Sequence, residues 1–172
     1  MPHSHAEAHA SESPHGTLGG LALILTACFG VAAIGGLVTS TTVDTWYPTL
    51  HKPPITPPDW LFAPVWSLLY LLMASAAWMV WRRLGAQAID ALLLFATQLL
   101  LNLGWSILFF GFKLIGIAFV DILLLGLAVV ATTVAFWRIE RLAGLLLVPY
   151  VAWIGYAALL NGWIWVLNRA YT

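Results

Sequence analysis

Residues 89–137 read IDALLLFATQLLLNLGWSILFFGFKLIGIAFVDILLLGLAVVATTVAFW, a stretch whose charged side chains are Asp90, Lys113 and Asp121. A helix needs about 20 predominantly apolar residues to cross the hydrocarbon core of a bilayer. The stretch is long enough for two such helices, with the break at Lys113. Its apolar runs are continuous rather than alternating, which argues against the strands of a membrane β-barrel. We therefore predict two consecutive antiparallel transmembrane helices here.

The composition of the whole chain agrees with that local pattern. Of the 172 residues, 62% are hydrophobic and 8% are charged, whereas a typical soluble domain has about 25% charged residues. Seven basic and seven acidic side chains cancel, which excludes a nucleic-acid patch and a strongly basic membrane-surface helix. We predict a multi-pass integral membrane protein whose partner is the lipid bilayer, with no nucleic-acid partner.

The charged and proline-rich positions divide the chain into five apolar segments. We predict an all-α fold, a compact bundle of five transmembrane helices that occupies residues 17–172 as one domain. Loops this short make consecutive helices antiparallel. The predicted helices cover about 18–40, 61–81, 89–112, 114–137 and 142–167.

The first 16 residues, MPHSHAEAHASESPHG, have neither an apolar run nor the positively charged N-terminal region of a signal peptide. We predict a disordered tail rather than a secretory signal or a packed element. Its histidines could bind a transition metal loosely, but the flexible spacing and the lack of a cysteine partner argue against a specific site. We predict no metal site in this tail, which carries His3, His5, His9 and His15.

A second unusual segment is WYPTLHKPPITPPDW at residues 46–60, where five of fifteen positions are proline. Proline lacks a backbone donor and is excluded from helix interiors and central strands. We predict that residues 41–60 form a proline-rich loop between the first two helices.

Ten tryptophans are many for a chain of this size. Most lie near predicted helix ends, where tryptophan commonly marks the membrane–water interface. Trp66, Trp105 and Trp153 lie deeper, where leucine or phenylalanine would fill space without an N–H to satisfy. They are candidates for a binding pocket, with buried packing as the alternative.

Polar residues inside the predicted spans form another candidate set. Asp121 lies about 12 Å of helical rise beyond Lys113, well inside the bilayer. Such groups usually face the bundle interior, a partner or a cavity. Gln98 and Asn102 share one face of the third helix. Each of the three could line a pocket or join helices through hydrogen bonds.

Several separate motifs together resemble the TspO/MBR family, the tryptophan-rich sensory proteins, translocator proteins and peripheral benzodiazepine receptors. They occur in colinear order over residues 46–168. The motifs are WYPTLHKPPITPPDW followed by APVWSLLY, then QLLLNLGWSILFFG, VDILLL, ATTVAFW and VPYVAWIGYAALLN.

The resemblance implies a five-helix homodimer that binds porphyrins, haem, sterols or benzodiazepine-site ligands in a cavity under the first loop, with no required cofactor. It implies that the proline-rich loop is a lid. The sterol pattern of animal members needs a tyrosine where LNGWIWVLNR has Trp163 and Trp165, so we predict no strong cholesterol binding. The implied pocket residues are Tyr47, Pro57, Trp66, Asn102, Trp105, Trp153 and Ala157.

Three functions follow from these observations. The leading one is binding of a porphyrin- or haem-type tetrapyrrole for sensing or transport. The alternatives are an enzyme that uses Trp66 and Trp153 in light-driven oxidation of a bound porphyrin, and a membrane scaffold that recruits another protein. The sequence contains no hydrolytic triad, HExxH pair or phosphate-binding glycine loop, so ordinary hydrolytic or nucleotide chemistry is not predicted.

Overall fold

A computed structural model of the chain describes residues 18–169, and over these residues the fold is entirely helical, without strands. The all-α prediction is therefore confirmed for this part of the chain. The predicted tail and its four histidines lie outside the described residues.

Five α-helices account for most of the described residues. Short 3-10 turns occur at Tyr47–Thr49, Asp59–Leu61 and Gly85–Ala88, and a π-helical turn at Ile107–Gly111 extends the third helix. Lys113, which follows that turn, has a φ of 60°, a left-handed conformation that ends the helix. The five helices are α1 (Leu18–Ser40), α2 (Phe62–Leu84), α3 (Ile89–Ser106), α4 (Ile115–Ile139) and α5 (Arg141–Asn168).

The chain is a multi-pass integral membrane protein, but the number of helical segments able to cross a membrane differs from the prediction. Four continuous segments of the described chain are long and apolar enough: Leu18–Ser40, Asp59–Gly111, Ile115–Ile139 and Arg141–Asn168. The prediction of five is wrong by this measure. The difference arises because α2 and α3 are joined by the 3-10 turn Gly85–Ala88 without a non-helical residue, so Asp59–Gly111 is one helical segment of 53 residues.

The helices surround the core in the order α1, α2, α5, α4, α3, with α1 also touching α3. The largest interface joins α4 and α5. On α2, small side chains permit close approach, since Ala74, Ala76 and Ala77 are fully buried. By contrast α1 buries only Cys28 and Gly35. The bundle therefore has a tightly packed α4–α5 side and a thinly packed α1 side.

The connection between α4 and α5 consists of one residue, Glu140, in an extended conformation. Arg83 at the end of α2 forms an ion pair with Glu140 and ties α2 to this reversal. Helices α4 and α5 are in contact immediately next to Glu140. A Cβ at Gly144 would lie 2.7 Å from Cβ and 2.8 Å from Cα of Trp137. Glycine is therefore required there by space rather than by backbone conformation.

We expect Gly144→Ala to destabilise the bundle, because Cα of Trp137 cannot move without shifting α4. Overpacking of this kind costs about 1–3 kcal/mol. The matched control is Gly155→Ala on the same helix, where an added Cβ meets nothing within 4 Å and the higher helix propensity of alanine makes the change neutral or favourable. Thermal unfolding in detergent compares the two. Equal melting temperatures for both variants would contradict this account of the reversal.

Candidate functional site

A cavity of about 470 Å³ lies between α1, α2, α3 and α5, beneath the loop that joins α1 to α2. We call residues 41–61 the capping loop. The cavity is lined by Phe29, Ala32, Gly35, Gly36, Thr39, Ser40, Val43, Tyr47, Asp59, Phe62, Ala63, Trp66, Ser67, Tyr70, Asn102, Trp105, Ser106, Phe109, Phe110, Ala157, Leu160, Asn161 and Ile164.

The wall formed by α1 is made largely of small residues. A Cβ at Gly35 would lie 3.3 Å from Oγ of Ser106, so α1 and the end of α3 are in close contact at this level. Ala32 and Gly36 leave open space on either side of that contact. The small side chains on α1 thus create the width of the cavity.

Aromatic rings form the opposite walls. Trp66 packs against Tyr70 with the ring centroids 5.7 Å apart and edge-on against Tyr150 at 6.3 Å. Trp105 stacks on Phe109 with the centroids 5.3 Å apart. Because each ring is held by a neighbouring ring, the indoles have defined orientations before any ligand binds.

The roof of the cavity is Tyr47 of the capping loop, a buried residue. Its ring packs on Phe110 at 5.7 Å, and Nζ of Lys52 lies 4.3 Å from its centroid, within the range of a cation–π contact. Burial, with a smaller contribution from the charge of Asp59, raises the pKa of Tyr47 to about 12. Its hydroxyl is protonated at neutral pH, as a tyrosine hydroxyl is even at its ordinary pKa of about 10, and can donate a hydrogen bond.

The inner end of the cavity holds a buried hydrogen-bond network that joins three helices. The Tyr70 hydroxyl donates to Oδ1 of Asn102 at 2.6 Å, and Nδ2 of Asn102 donates to the Tyr150 hydroxyl at 3.1 Å. The Tyr150 hydroxyl donates in turn to Oε1 of Gln98 at 2.9 Å. Asn102 is thus both a lining residue and a link between α2, α3 and α5, the two roles that its sequence position left open.

A second polar pair fixes Trp105. Its Nε1 donates to Oδ1 of Asn161 at 2.9 Å, and Nδ2 of Asn161 donates to the backbone carbonyl of Ile115 at 3.0 Å. The indole N–H that made Trp105 a candidate is therefore satisfied by α5. Its ring remains at the cavity surface.

The capping loop is attached to the bundle by side chains of α5. Asn168 accepts from the backbone N–H of His51 at 3.0 Å and donates to its carbonyl at 2.9 Å. The Tyr156 hydroxyl donates to the carbonyl of Ile55 at 2.6 Å. These contacts hold the loop over the cavity at two separate points.

The structure brings five of the seven predicted pocket residues together, and two lie elsewhere. Trp153 packs edge-on against Phe62 with the centroids 6.2 Å apart, one ring behind the cavity wall. Pro57 is half-buried in the capping loop, which reaches the cavity through Val43, Tyr47 and Asp59 instead. The five that line the cavity are Tyr47, Trp66, Asn102, Trp105 and Ala157. A binding role for each stays a prediction.

The other predicted polar residues lie outside the lining. Gln98 is buried and serves the network, with its Nε2 at 3.8 Å from the sulfur of Met73. Asp121 lies between α3 and α4, with Oδ1 3.4 Å from the position that a Cβ on Gly104 would take. Its Oδ2 is buried and has no hydrogen-bond partner in residues 18–169. The same residues contain no group of three or more histidine, cysteine, aspartate or glutamate side chains that could hold a metal.

Sequence reasoning missed Tyr70, Tyr150, Asn161 and Asn168. The intramembrane asparagine at position 161 could have been found with the rule that selected Asn102, because polar side chains inside a span face the interior. The tyrosines carried no such signal, since tyrosine is common both at interfaces and in cores. The partner of Asn168 is backbone in a distant loop, which the sequence pattern does not reveal.

Comparison with known proteins shows the family to which the chain belongs. The model of the TspO/MBR family matches residues 23–166. The chain belongs to the TspO/MBR family. The matched region contains every lining residue of the cavity, so the site is part of the family's shared domain.

Individual relatives match over most of their length. The chain is 42% identical to the tryptophan-rich protein TspO of Chlorobaculum tepidum over 86% of this chain and 95% of the relative. It is 42% identical to the translocator protein of Sus scrofa over 81% and 86% of the two chains. It is 39% identical to the tryptophan-rich sensory protein of Cereibacter sphaeroides over 80% and 84%.

We expect Tyr150→Phe to destabilise this TspO/MBR protein, because Nδ2 of Asn102 and Oε1 of Gln98 would lose their common partner in a buried site. An unsatisfied buried polar group costs about 1–3 kcal/mol. The control is Ser75→Ala, whose hydroxyl bonds to a carbonyl of its own helix. The measurement is the unfolding midpoint in detergent. A Tyr150→Phe midpoint as high as that of the control would mean that the network does not hold the helices together.

Proposed function

We propose that this chain binds a porphyrin- or haem-type tetrapyrrole in the cavity beneath the capping loop, and that binding serves sensing or transport. The observation that carries the proposal is a cavity with aromatic rings on two sides, small residues on the third and a neutral polar network at its inner end. Small-molecule sites typically occupy about 300–1,000 Å³ and combine an apolar lining with a few orienting polar groups.

The chemistry of the lining suits a flat aromatic ligand. The rings of Trp66 and Trp105 can stack against a planar macrocycle, which prefers offset or edge-on contact with aromatic side chains. The small residues of α1 provide the open space that a rigid planar macrocycle needs. Donors and acceptors at the inner end are already bonded to one another. The site therefore selects ligands by shape and stacking more than by hydrogen bonds.

The names of the relatives support a role in sensing or transport. One is called a translocator protein and another a tryptophan-rich sensory protein. Both roles begin with a membrane protein that takes up a ligand, and both are compatible with a cavity closed by a loop.

We also propose that Asp59–Gly111 crosses the bilayer twice, which gives five crossings within residues 18–169. At about 1.5 Å per residue a helix of this length would extend about 80 Å, against about 30 Å for the hydrocarbon core. Gly85, with a φ of 53°, lies within the turn that separates α2 from α3. Arg82 and Arg83 precede it, and charged residues favour the membrane surface.

Other expectations stay predictions. A homodimer, sterol binding and benzodiazepine-site ligands rest on the family resemblance. The photo-oxidative alternative uses Trp66 and Trp153. Trp66 lines the cavity, whereas Trp153 lies behind Phe62. The scaffold alternative needs another membrane protein bound to the outer surface of the helix bundle. The binding function is favoured because the cavity is an observed feature of this chain.

The first test of the proposal compares two tryptophans. We expect Trp66→Leu to weaken protoporphyrin binding about two- to ten-fold, because it removes a stacking surface worth about 0.5–1.5 kcal/mol. Trp153→Leu, outside the lining, should change the affinity less than two-fold. The measurement is a titration of the purified protein in detergent followed by porphyrin absorbance. Equal effects of the two substitutions, or titrations that never saturate, would reject this cavity as the site.

The second test concerns the capping loop. We expect Asn168→Ala to accelerate ligand release about five- to 150-fold, because the loop loses two hydrogen bonds to α5, each worth about 0.5–1.5 kcal/mol. Association should change less, since differences among related complexes lie mainly in dissociation. The control is Thr49→Ala, whose hydroxyl bonds to the Trp46 carbonyl within the loop itself. Stopped-flow dissociation of protoporphyrin is the measurement. Unchanged release together with a lower melting temperature would make the loop a structural brace and not a lid.

A further inference from the structure

One acidic residue lies deep inside a membrane-spanning helix. Asp121 is the only charged residue of the sequence between Lys113 and Arg138. It lies about 12 Å of helical rise beyond Lys113, in a hydrocarbon core that is about 30 Å thick. It is not one of the residues that line the cavity. The cavity and its hydrogen-bond network therefore leave this carboxyl group without a role.

The carboxyl group of Asp121 lies between helix α3 and the lipid. Its Oδ1 is 3.4 Å from the position that a Cβ on Gly104 of α3 would take. Its Oδ2 is buried and has no hydrogen-bond partner among residues 18–169. The side chain as a whole is half-buried. Ile117 and Leu124, one turn away on the same face of α4, are exposed and face acyl chains in a bilayer.

Within residues 18–169 no ion pair balances a negative charge on Asp121. Helix α3 carries one charged residue, Asp90, in its first turn. Lys113 is directed elsewhere, with Nζ 5.8 Å from the ring centroid of Trp46. Arg138 is in the last turn of α4, about 25 Å of helical rise away. The other titratable side chains of the helices that contact α4 are bonded elsewhere or lie at the ends of the spans: Tyr70, Arg82, Arg83, Arg141, Tyr150 and Tyr156.

These surroundings require the carboxyl group to carry a proton. In hydrocarbon an ionised carboxylate without a cation or water is strongly disfavoured, whereas the neutral acid is tolerated. To ionise, Asp121 needs water, and water reaches its buried oxygen only if α3 and α4 separate. Gly104 directly precedes Trp105, a lining residue whose indole N–H donates to Asn161. Separation of the helices at Gly104 therefore displaces one aromatic wall of the cavity.

We propose that Asp121 is a proton-binding site inside the membrane, and that its proton keeps α3 against α4 with Trp105 in position at the cavity. The ligand of this second site is H⁺. Loss of the proton opens the contact between α3 and α4 and weakens binding in the cavity. The regulatory part of the inference rests on the proposed tetrapyrrole function, whereas the proton site itself does not.

The proton site is tested by labelling with dicyclohexylcarbodiimide, which dissolves in the bilayer and reacts with protonated carboxyl groups. The acid gives its proton to one carbodiimide nitrogen while its oxygen bonds to the central carbon. Migration of the acyl group to nitrogen then leaves a stable N-acylurea that contains every atom of both reactants. For the full-length protein in zwitterionic liposomes, we expect peptide mass mapping to place the label on Asp121, and labelling to decline as the pH is raised.

Two controls accompany the labelling. A water-soluble carbodiimide should modify exposed carboxyl groups such as those of Asp44 and Asp90 and leave Asp121 unmodified. Asp121→Asn should abolish labelling by the lipid-soluble reagent, whereas Asp90→Asn should not change it. Absence of label on Asp121 in the unmodified protein, or labelling that is the same at every pH, overturns the proton site without depending on any variant.

The regulatory effect is tested by protoporphyrin titrations of the unmodified protein, Asp121→Asn and Asp90→Asn over a pH series in uncharged detergent. The titration of the ligand itself is common to all three proteins, so their affinity ratios report the protein alone. Raising the pH removes a proton from the unmodified protein but not from Asp121→Asn. We expect equal affinities of these two at about pH 6 and at least about five-fold weaker binding by the unmodified protein at about pH 9, the lower end of typical coupling between sites.

Asp90→Asn, which removes an exposed carboxylate from the first turn of α3, should follow the unmodified protein at every pH. A constant affinity ratio between the unmodified protein and Asp121→Asn overturns the regulation while leaving the tetrapyrrole site in place. Failure of the unmodified protein to bind protoporphyrin saturably at any pH overturns the tetrapyrrole function instead, and the labelling result still decides the proton site.

Discussion

The central constraint on this molecule is that a polar atom inside a membrane must find its partner within the protein. Lipid offers neither donors nor acceptors, so an unsatisfied group costs several kcal/mol. Around the cavity the chain meets this constraint with a few side-chain amides and hydroxyls that bond between helices, whereas Oδ2 of Asp121 has no partner within residues 18–169. Asn102 joins α2 to α5 through two tyrosines, and Asn161 joins α3 to the start of α4. These bonds also fix the orientation of the rings around the cavity, so stability and the shape of the site have the same origin.

The capping loop obeys the same rule at the membrane surface. Its prolines remove backbone donors, which reduces the number of bonds that the loop must form. Several of the remaining backbone N–H groups donate to carbonyls within the loop or at the end of α1. Helix α5 contributes the side-chain amide of Asn168 and the hydroxyl of Tyr156. A segment that is neither helix nor strand can therefore be positioned over the cavity. The loop depends on the last helix of the chain for its position, although it lies between the first two.

The sequence predicted the class of the fold because apolar length and charge placement act locally along the chain. It also predicted Trp66, Asn102 and Trp105 at the cavity, since a buried indole or amide signals an interior-facing polar group. It did not predict that α2 and α3 form one continuous helical segment, because a short 3-10 turn leaves no composition signal beyond the residues of an ordinary loop. Trp153 shows the limit of the depth argument. Position along a helix determines how far a residue lies from the membrane surface. Whether its side chain reaches the cavity depends on the helix face and on neighbouring side chains such as Phe62.

The thin packing of α1 has a consequence for how the protein responds to its surroundings. This helix supplies one wall of the cavity, yet only Cys28 and Gly35 of it are buried in the protein. Part of its surface lines the cavity or contacts α2 and α3. Its exposed outer side, which carries Leu23 and Leu37, faces acyl chains in a bilayer, so the lateral pressure of the lipid becomes one of the forces that hold the wall in place. Chain length and unsaturation of the host membrane thereby enter the energy of opening and filling the cavity. The energy of the cavity is in this sense a property of the protein and its bilayer together.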